Sequence, residues 1–92
     1  MIKGVTATGF AYELDPAALE DYYVIEQFGL AQKSDLLAFG VLLEKMLGAK
    51  QKTALLKHCE DENGRAPVSK VSDEIASIYR YATEASKKAK NS

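Results

Sequence analysis

The stretch Leu47-Gly48-Ala49-Lys50-Gln51-Lys52-Thr53-Ala54-Leu55-Leu56 places a glycine between two runs of helix-forming residues. Glycine commonly ends a helix because it adopts the left-handed conformation that closes the last turn. A second stop, Asn63-Gly64, follows one helix length later, and Pro67-Val68 leads into another apolar-periodic segment. This order predicts helix, stop, helix, stop, extended lead and final helix.

A first helix is expected upstream, at about residues 16–28. Asp15 is suited to the N-cap, and Pro16 has the fixed φ that the first helical position accepts. Gly29 marks the expected end of this helix.

The second helix is expected to start at a cap formed by Ser34 or Asp35 and to end at Gly48. Its apolar residues surround the helix almost completely, as in a helix that is central to its domain or that also meets a partner. They are Leu36, Leu37, Phe39, Val41, Leu42, Leu43, Met46 and Leu47.

The third and last helices are read from their apolar spacing. The third, at about residues 50–60, is expected to turn Ala54, Leu55, Leu56 and Cys59 inward. The last is expected to be capped by Ser69, to run to residue 85, and to bury Val71, Ile75, Ile78, Tyr79 and Ala82. Residues 86–92 are expected to form a flexible basic tail.

Residues 5–14 are rich in β-formers and alternate at Phe10, Tyr12 and Leu14, which predicts one strand or a short hairpin. With 92 residues, the chain has enough apolar content for one core. The expected fold is therefore mainly α, a single domain over residues 1–92 in which a bundle of about four helices carries a short N-terminal strand or hairpin.

The composition excludes several classes of protein. The net charge of −1 provides no basic field for nucleic acid or an anionic membrane. The charge is uneven, because residues 1–48 carry seven acids against three lysines whereas residues 49–92 carry nine bases against six acids, a distribution that permits self-association. A single cysteine, no signal peptide and no apolar run of membrane length together predict a cytoplasmic protein.

No catalytic constellation is visible in the sequence. The run His58-Cys59-Glu60-Asp61-Glu62 contains metal-ligating residue types, but no second His or Cys completes a zinc site and the spacing does not match a calcium loop. Neighbouring His58 and Cys59 point apart on a helix, which disfavours a nucleophile–base pair. We therefore expect no enzyme activity, no metal and no cofactor, with Cys59 buried as a small apolar side chain.

The helices on either side of Gly48 also resemble a DNA-binding helix-turn-helix. The residues presented to DNA would be Lys50, Gln51, Lys52, Thr53 and Lys57. The acidic balance and the absence of arginine on this helix disfavour that alternative, a small DNA-binding regulator.

The apolar surplus of the second helix exceeds what one small core can cover, and two adjacent tyrosines cannot both face it. We expect at least one of Tyr22 and Tyr23 to be exposed. A partner or a second copy of this chain is expected to bind the tyrosines and the second helix, at Tyr22, Tyr23, Leu36, Leu37, Val41 and Leu42.

The order of these features resembles the short tail assembly chaperones of long-tailed bacteriophages. The resemblance covers about Glu13 to Tyr79 and lies in the sequence of pieces rather than in any one of them. The pieces are Leu14-Asp15, Met46-Leu47-Gly48, Leu55-Leu56-Lys57-His58, Asp61-Glu62-Asn63-Gly64-Arg65, Pro67-Val68 and Glu74-Ile75.

The resemblance implies a function in tail assembly. Proteins of that family bind the tape measure protein and keep it soluble in the host cytoplasm until the tube polymerises, and they are absent from the mature virion. Many also have a longer form made by ribosomal frameshifting, which would extend the partners to the major tail protein, and Lys87-Lys88 is compatible with a slippery site. The family has no catalytic residues to transfer.

Overall fold

The computed structural model describes residues 1–33 and 37–91 of the chain, with side chains described as far as residue 87. In this part of the chain a two-stranded antiparallel hairpin is followed by a 3₁₀ helix and four α-helices. The predicted mainly helical fold with an N-terminal hairpin is confirmed. None of the helices in this part combines the length and apolar character that a membrane span requires.

The hairpin consists of β1 (Ile2–Val5) and β2 (Ala11–Leu14), with Gly4 opposite Tyr12. Its first strand starts before the predicted residue 5, and residues 6–10 form the turn instead of strand. The turn is closed by a 2.9 Å hydrogen bond from Thr6 N to Phe10 O, and Gly9 has the positive φ of 94° that favours glycine.

Gly4 is required by the close approach of Tyr12. A Cβ atom at this position would lie 2.7 Å from Cζ of the Tyr12 ring, which packs across the strand. Tyr12 is thereby buried in the core.

The predicted single helix at residues 16–28 is wrong in its bounds. Asp15 caps a short 3₁₀ helix, Pro16–Glu20, and Asp21 then caps α1, Tyr22–Gln32. Each aspartate accepts a 2.9 Å hydrogen bond from the backbone N–H two residues later, so two caps divide the segment. Gly29 lies inside α1 and does not end it.

The second and third helices are α2 (Leu37–Leu47) and α3 (Ala49–Cys59), separated by Gly48 with a φ of 86°. The glycine stop is therefore in the predicted place. The proposed caps Ser34 and Asp35 lie outside the described residues.

The last helix, α4, extends from Val68 to Asn91. It starts before the predicted cap Ser69, because Pro67 O accepts hydrogen bonds of 3.1 Å from both Lys70 N and Val71 N. It also continues past residue 85, so the backbone of residues 86–91, predicted as a flexible basic tail, belongs to this helix.

The core lies where the hairpin and all four helices meet. Of the predicted α4 stripe, Val71, Ile75, Ile78 and Ala82 are buried as expected and Tyr79 is partly buried. Ala54 is exposed and was wrongly assigned to the interior. The stripe of α3 that faces the core is instead set by Leu55 and Cys59, which are four residues apart. The largest fully buried side chains are Leu14, Val24, Leu42, Leu43, Leu55, Ile75 and Ile78.

Candidate functional site

The candidate binding surface is built on the packing of α1 against α2. Lys45 Nζ, near the end of α2, lies 5.1 Å from the centroid of the Tyr23 ring, near the start of α1. The two helices therefore run antiparallel, and the surface stripe of α2 that includes Lys45 borders the stripe of α1 that includes Tyr23.

Large apolar side chains occupy these neighbouring stripes. Leu37 and Val41 precede Lys45 at intervals of four residues, and Leu30 follows Tyr23 by two turns, so each set shares one side of its helix. The Tyr22 ring meets the Tyr23 ring edge-on at 6.5 Å between centroids. We name this surface the α1–α2 face, consisting of Tyr22, Tyr23, Leu30, Leu37 and Val41.

Four of the six predicted binding residues belong to the α1–α2 face. Tyr22 is 67% exposed, Tyr23 60%, Leu37 87% and Val41 40%. The expectation that at least one of the two tyrosines is exposed is therefore confirmed. Exposed large apolar side chains grouped on one side of a protein are typical of interaction surfaces.

The other two predicted residues are not part of this surface. Leu42 is completely buried in the core, so its inclusion was wrong: one step along α2 rotates the side chain from the surface to the interior. Leu36 lies outside the described residues. Leu30, 38% exposed, was missed, although its spacing of seven residues from Tyr23 in the sequence could have identified it.

The surface of α3 is less suited to reading DNA than its sequence suggests. The Gln51 side chain accepts a hydrogen bond of 2.8 Å from Glu13 N and donates to Glu13 O and Leu47 O at 2.6 and 2.8 Å. Thr53 Oγ1 donates to Ala49 O at 3.1 Å. The amide that a recognition helix would direct toward a base is thus fully engaged within the fold.

A second polar group lies where the hairpin turn meets α3 and α4. The Thr8 hydroxyl donates to Glu74 Oε1, and His58 Nε2 lies 2.9 Å from Thr8 Oγ1. Glu74 is only 5% exposed, and its Oε2 atom has no hydrogen-bond partner among the residues that the structure describes.

Cys59 lines the same cavity of about 330 Å³ as Thr8, His58 and Glu74. Burial raises the pKa of the Cys59 thiol, the Glu74 carboxylate raises it further, and Lys70 opposes this shift. The thiol is therefore kept protonated, which is the opposite of an activated nucleophile.

The arrangement of this group also differs from that of a catalytic triad. In a triad the imidazole lies between the nucleophile and the acid, whereas here the Thr8 hydroxyl lies between His58 and Glu74. Among the described residues, no group of three or more His, Cys, Asp and Glu side chains is placed to hold a metal ion. The group's evident effect is to attach the hairpin turn to α3 and α4.

Comparisons with protein-family models, with curated proteins and with solved structures find no match for this chain.

Proposed function

We propose that this chain is a bacteriophage tail assembly chaperone, which binds an apolar helical segment of the tape measure protein and keeps that protein soluble during tail assembly. The observation that carries the proposal is the exposed α1–α2 face, with Leu37 at 87% and Tyr22 at 67% exposure on two helices that are held together by a buried core.

The chemistry of the α1–α2 face fits a helical partner. An amphipathic helix binds a hydrophobic surface through apolar side chains that recur at three- and four-residue spacing, which is the spacing that Leu37 and Val41 present in return. Tyrosine favours such contacts because its ring buries a large area while its hydroxyl remains hydrated. A tape measure protein presents long apolar helical stripes before the tube covers them.

The proposed place of action is the cytoplasm of the bacterial host, and the chaperone is released before the virion is complete. A longer frameshifted form would add contact with the major tail protein. These parts of the proposal follow from the resemblance of residues 13–79 to the tail assembly chaperones. They depend on the same test as the binding of the tape measure protein.

The test is co-expression with the tape measure protein of the same phage, followed by measurement of the soluble fraction of that partner. Val41→Asp and Leu37→Asp place a charge on the α1–α2 face, and each is expected to lower the soluble fraction about tenfold, because desolvating a carboxylate against apolar side chains costs more than ~1.4 kcal/mol. Circular dichroism verifies that the variants remain folded.

The matched control is Val68→Asp, the same change at an apolar residue that is 49% exposed at the start of α4. This variant is expected to keep the partner soluble. If Val41→Asp and Leu37→Asp are folded and solubilise the partner as well as Val68→Asp does, the α1–α2 face is not the binding surface.

A further inference from the structure

The two edges of the β-hairpin differ in how their backbone groups are satisfied. Thr6 N donates to Phe10 O, so the pair Thr6–Phe10 is hydrogen-bonded across the ladder. Hydrogen-bonded and non-hydrogen-bonded pairs alternate in an antiparallel hairpin, so Gly4 also bonds across the ladder. Lys3 and Val5 therefore direct their N–H and C=O groups outward.

This outer edge of β1 is open. No residue in the ranges 1–33 and 37–91 hydrogen-bonds to the backbone of Lys3 or Val5 on that side. Val5 is 68% exposed and Met1 is 69% exposed beside the edge. Two outward donors and two outward acceptors thus form an edge on which another strand can pair.

The outer edge of β2 is covered at Glu13 by contrast. Glu13 directs its N–H and C=O away from β1, and the Gln51 side chain takes both of them. Because Gln51 occupies this position like the backbone of a neighbouring strand, pairing of the hairpin with another strand is directed to β1.

We propose that β1 pairs antiparallel with β1 of a second copy of this chain, which joins the two hairpins into one four-stranded sheet. The two-fold axis passes beside Gly4, so that Lys3 of each copy faces Val5 of the other. This pairing satisfies all four outward groups of each edge.

Charge disfavours one alternative register of this dimer, with the axis at Lys3. Moving the axis to Lys3 would place two ammonium groups directly opposite each other, which is unfavourable in a cross-strand pair. With the axis at Gly4, each lysine keeps its 3.8 Å ion pair with Glu13 of its own hairpin and covers the exposed Val5 of the other copy with its aliphatic stem. The occupant is a second copy because the edge is complementary to itself in this register.

The experiment compares Val5→Pro with Ala11→Pro by sedimentation equilibrium. Each proline removes one N–H that points outward, from the open β1 edge or from the β2 edge, and leaves the bonds between the strands intact. The wild-type chain and Ala11→Pro are expected to sediment at twice the chain mass of 10.1 kDa, and Val5→Pro at the mass of one chain. Circular dichroism and thermal unfolding verify that both variants fold.

A second pair of variants tests the register and does not depend on proline. Val5→Lys places an ammonium opposite Lys3 of the other copy and is expected to raise the dimer dissociation constant at least tenfold, whereas Val5→Glu is expected to lower it. The proposal is overturned if the wild-type chain sediments as a monomer, even if an added extended peptide binds the β1 edge. Equal masses for the two proline variants, or tighter pairing of Val5→Lys than of Val5→Glu, overturn it as well.

The β1 edge lies on a different element from the α1–α2 face, so dimerisation and partner binding are separable. Val5→Pro is expected to keep the tape measure protein soluble even as a monomer. Failure of one proposal therefore leaves the other standing.

Discussion

At the scale of single residues, Cys59 illustrates how the surroundings decide the chemistry of a side chain. In the sequence it lies beside His58 and before three acids, an arrangement that contains the residue types of a metal site or a nucleophile. In the fold it is 3% exposed, and burial together with Glu74 raises the pKa of its thiol. Its predicted burial as a small apolar side chain is confirmed.

Cys59 is therefore expected to react slowly with iodoacetamide at neutral pH. The thiolate is the reacting species. The raised pKa lowers the thiolate fraction at neutral pH, and burial keeps the sulfur away from the reagent. Labelling should become fast once the chain is unfolded in urea. Fast labelling of the native chain at neutral pH would contradict this account of Cys59.

The raised pKa of the Cys59 thiol also makes the free energy of unfolding depend on pH in the alkaline range. Above the ordinary pKa of a cysteine thiol, the folded chain retains a proton that the unfolded chain has lost, so this residue's contribution to the free energy of unfolding falls as the pH rises. Below that pKa both states are protonated and the contribution is constant. Urea titrations of the wild-type chain and of Cys59→Ala separate this contribution from those of other groups.

At the scale of the elements, the sequence predicts some boundaries because one residue decides them locally. Gly48 with its positive φ separates α2 from α3 where expected, since glycine alone adopts that conformation without strain. The α4 stripe is likewise predicted correctly, because regular spacing of Val71, Ile75 and Ile78 specifies one buried side.

Other boundaries depend on competition between neighbouring signals. Asp15 and Asp21 are both good caps, and the sequence does not indicate that both are used, which divides the expected first helix. Gly29 is a weak stop inside a helix that packing against α2 maintains. The start of α4 depends on the Pro67 carbonyl rather than on the Ser69 hydroxyl.

Two substitutions at adjacent positions test which side of α2 faces the core. Leu42→Ala removes a completely buried side chain and is expected to cost about 2–5 kcal/mol of unfolding free energy. Val41 is the preceding residue of the helix and is 40% exposed. Val41→Ala is therefore expected to change the unfolding free energy by less than about 1 kcal/mol. Similar losses in urea denaturation would contradict the orientation of α2 described here.

At the scale of the whole molecule, one small core holds the hairpin and the helices, and in the described part of the chain the α1–α2 face and the β1 edge are exposed. The composition predicts that a core of this size leaves apolar residues uncovered, and Tyr22, Tyr23, Leu37 and Val41 are the exposed ones among those predicted. Which residues of an apolar helix are left outside depends on tertiary packing, and this is why Leu42 was misassigned. The open β1 edge depends on which residues of β1 direct their N–H and C=O groups away from β2, and composition does not specify this.

The most direct test of the central claim is a titration of the isotopically labelled chain with an apolar helical segment of the tape measure protein, followed by NMR. The largest chemical-shift changes are expected at Tyr22, Tyr23, Leu30, Leu37 and Val41, with Gln51 and the basic side of α3 unchanged. Saturable changes confined to the α1–α2 face would support the chaperone function. Changes centred on α3, or a spectrum that the segment leaves unaltered, would contradict it.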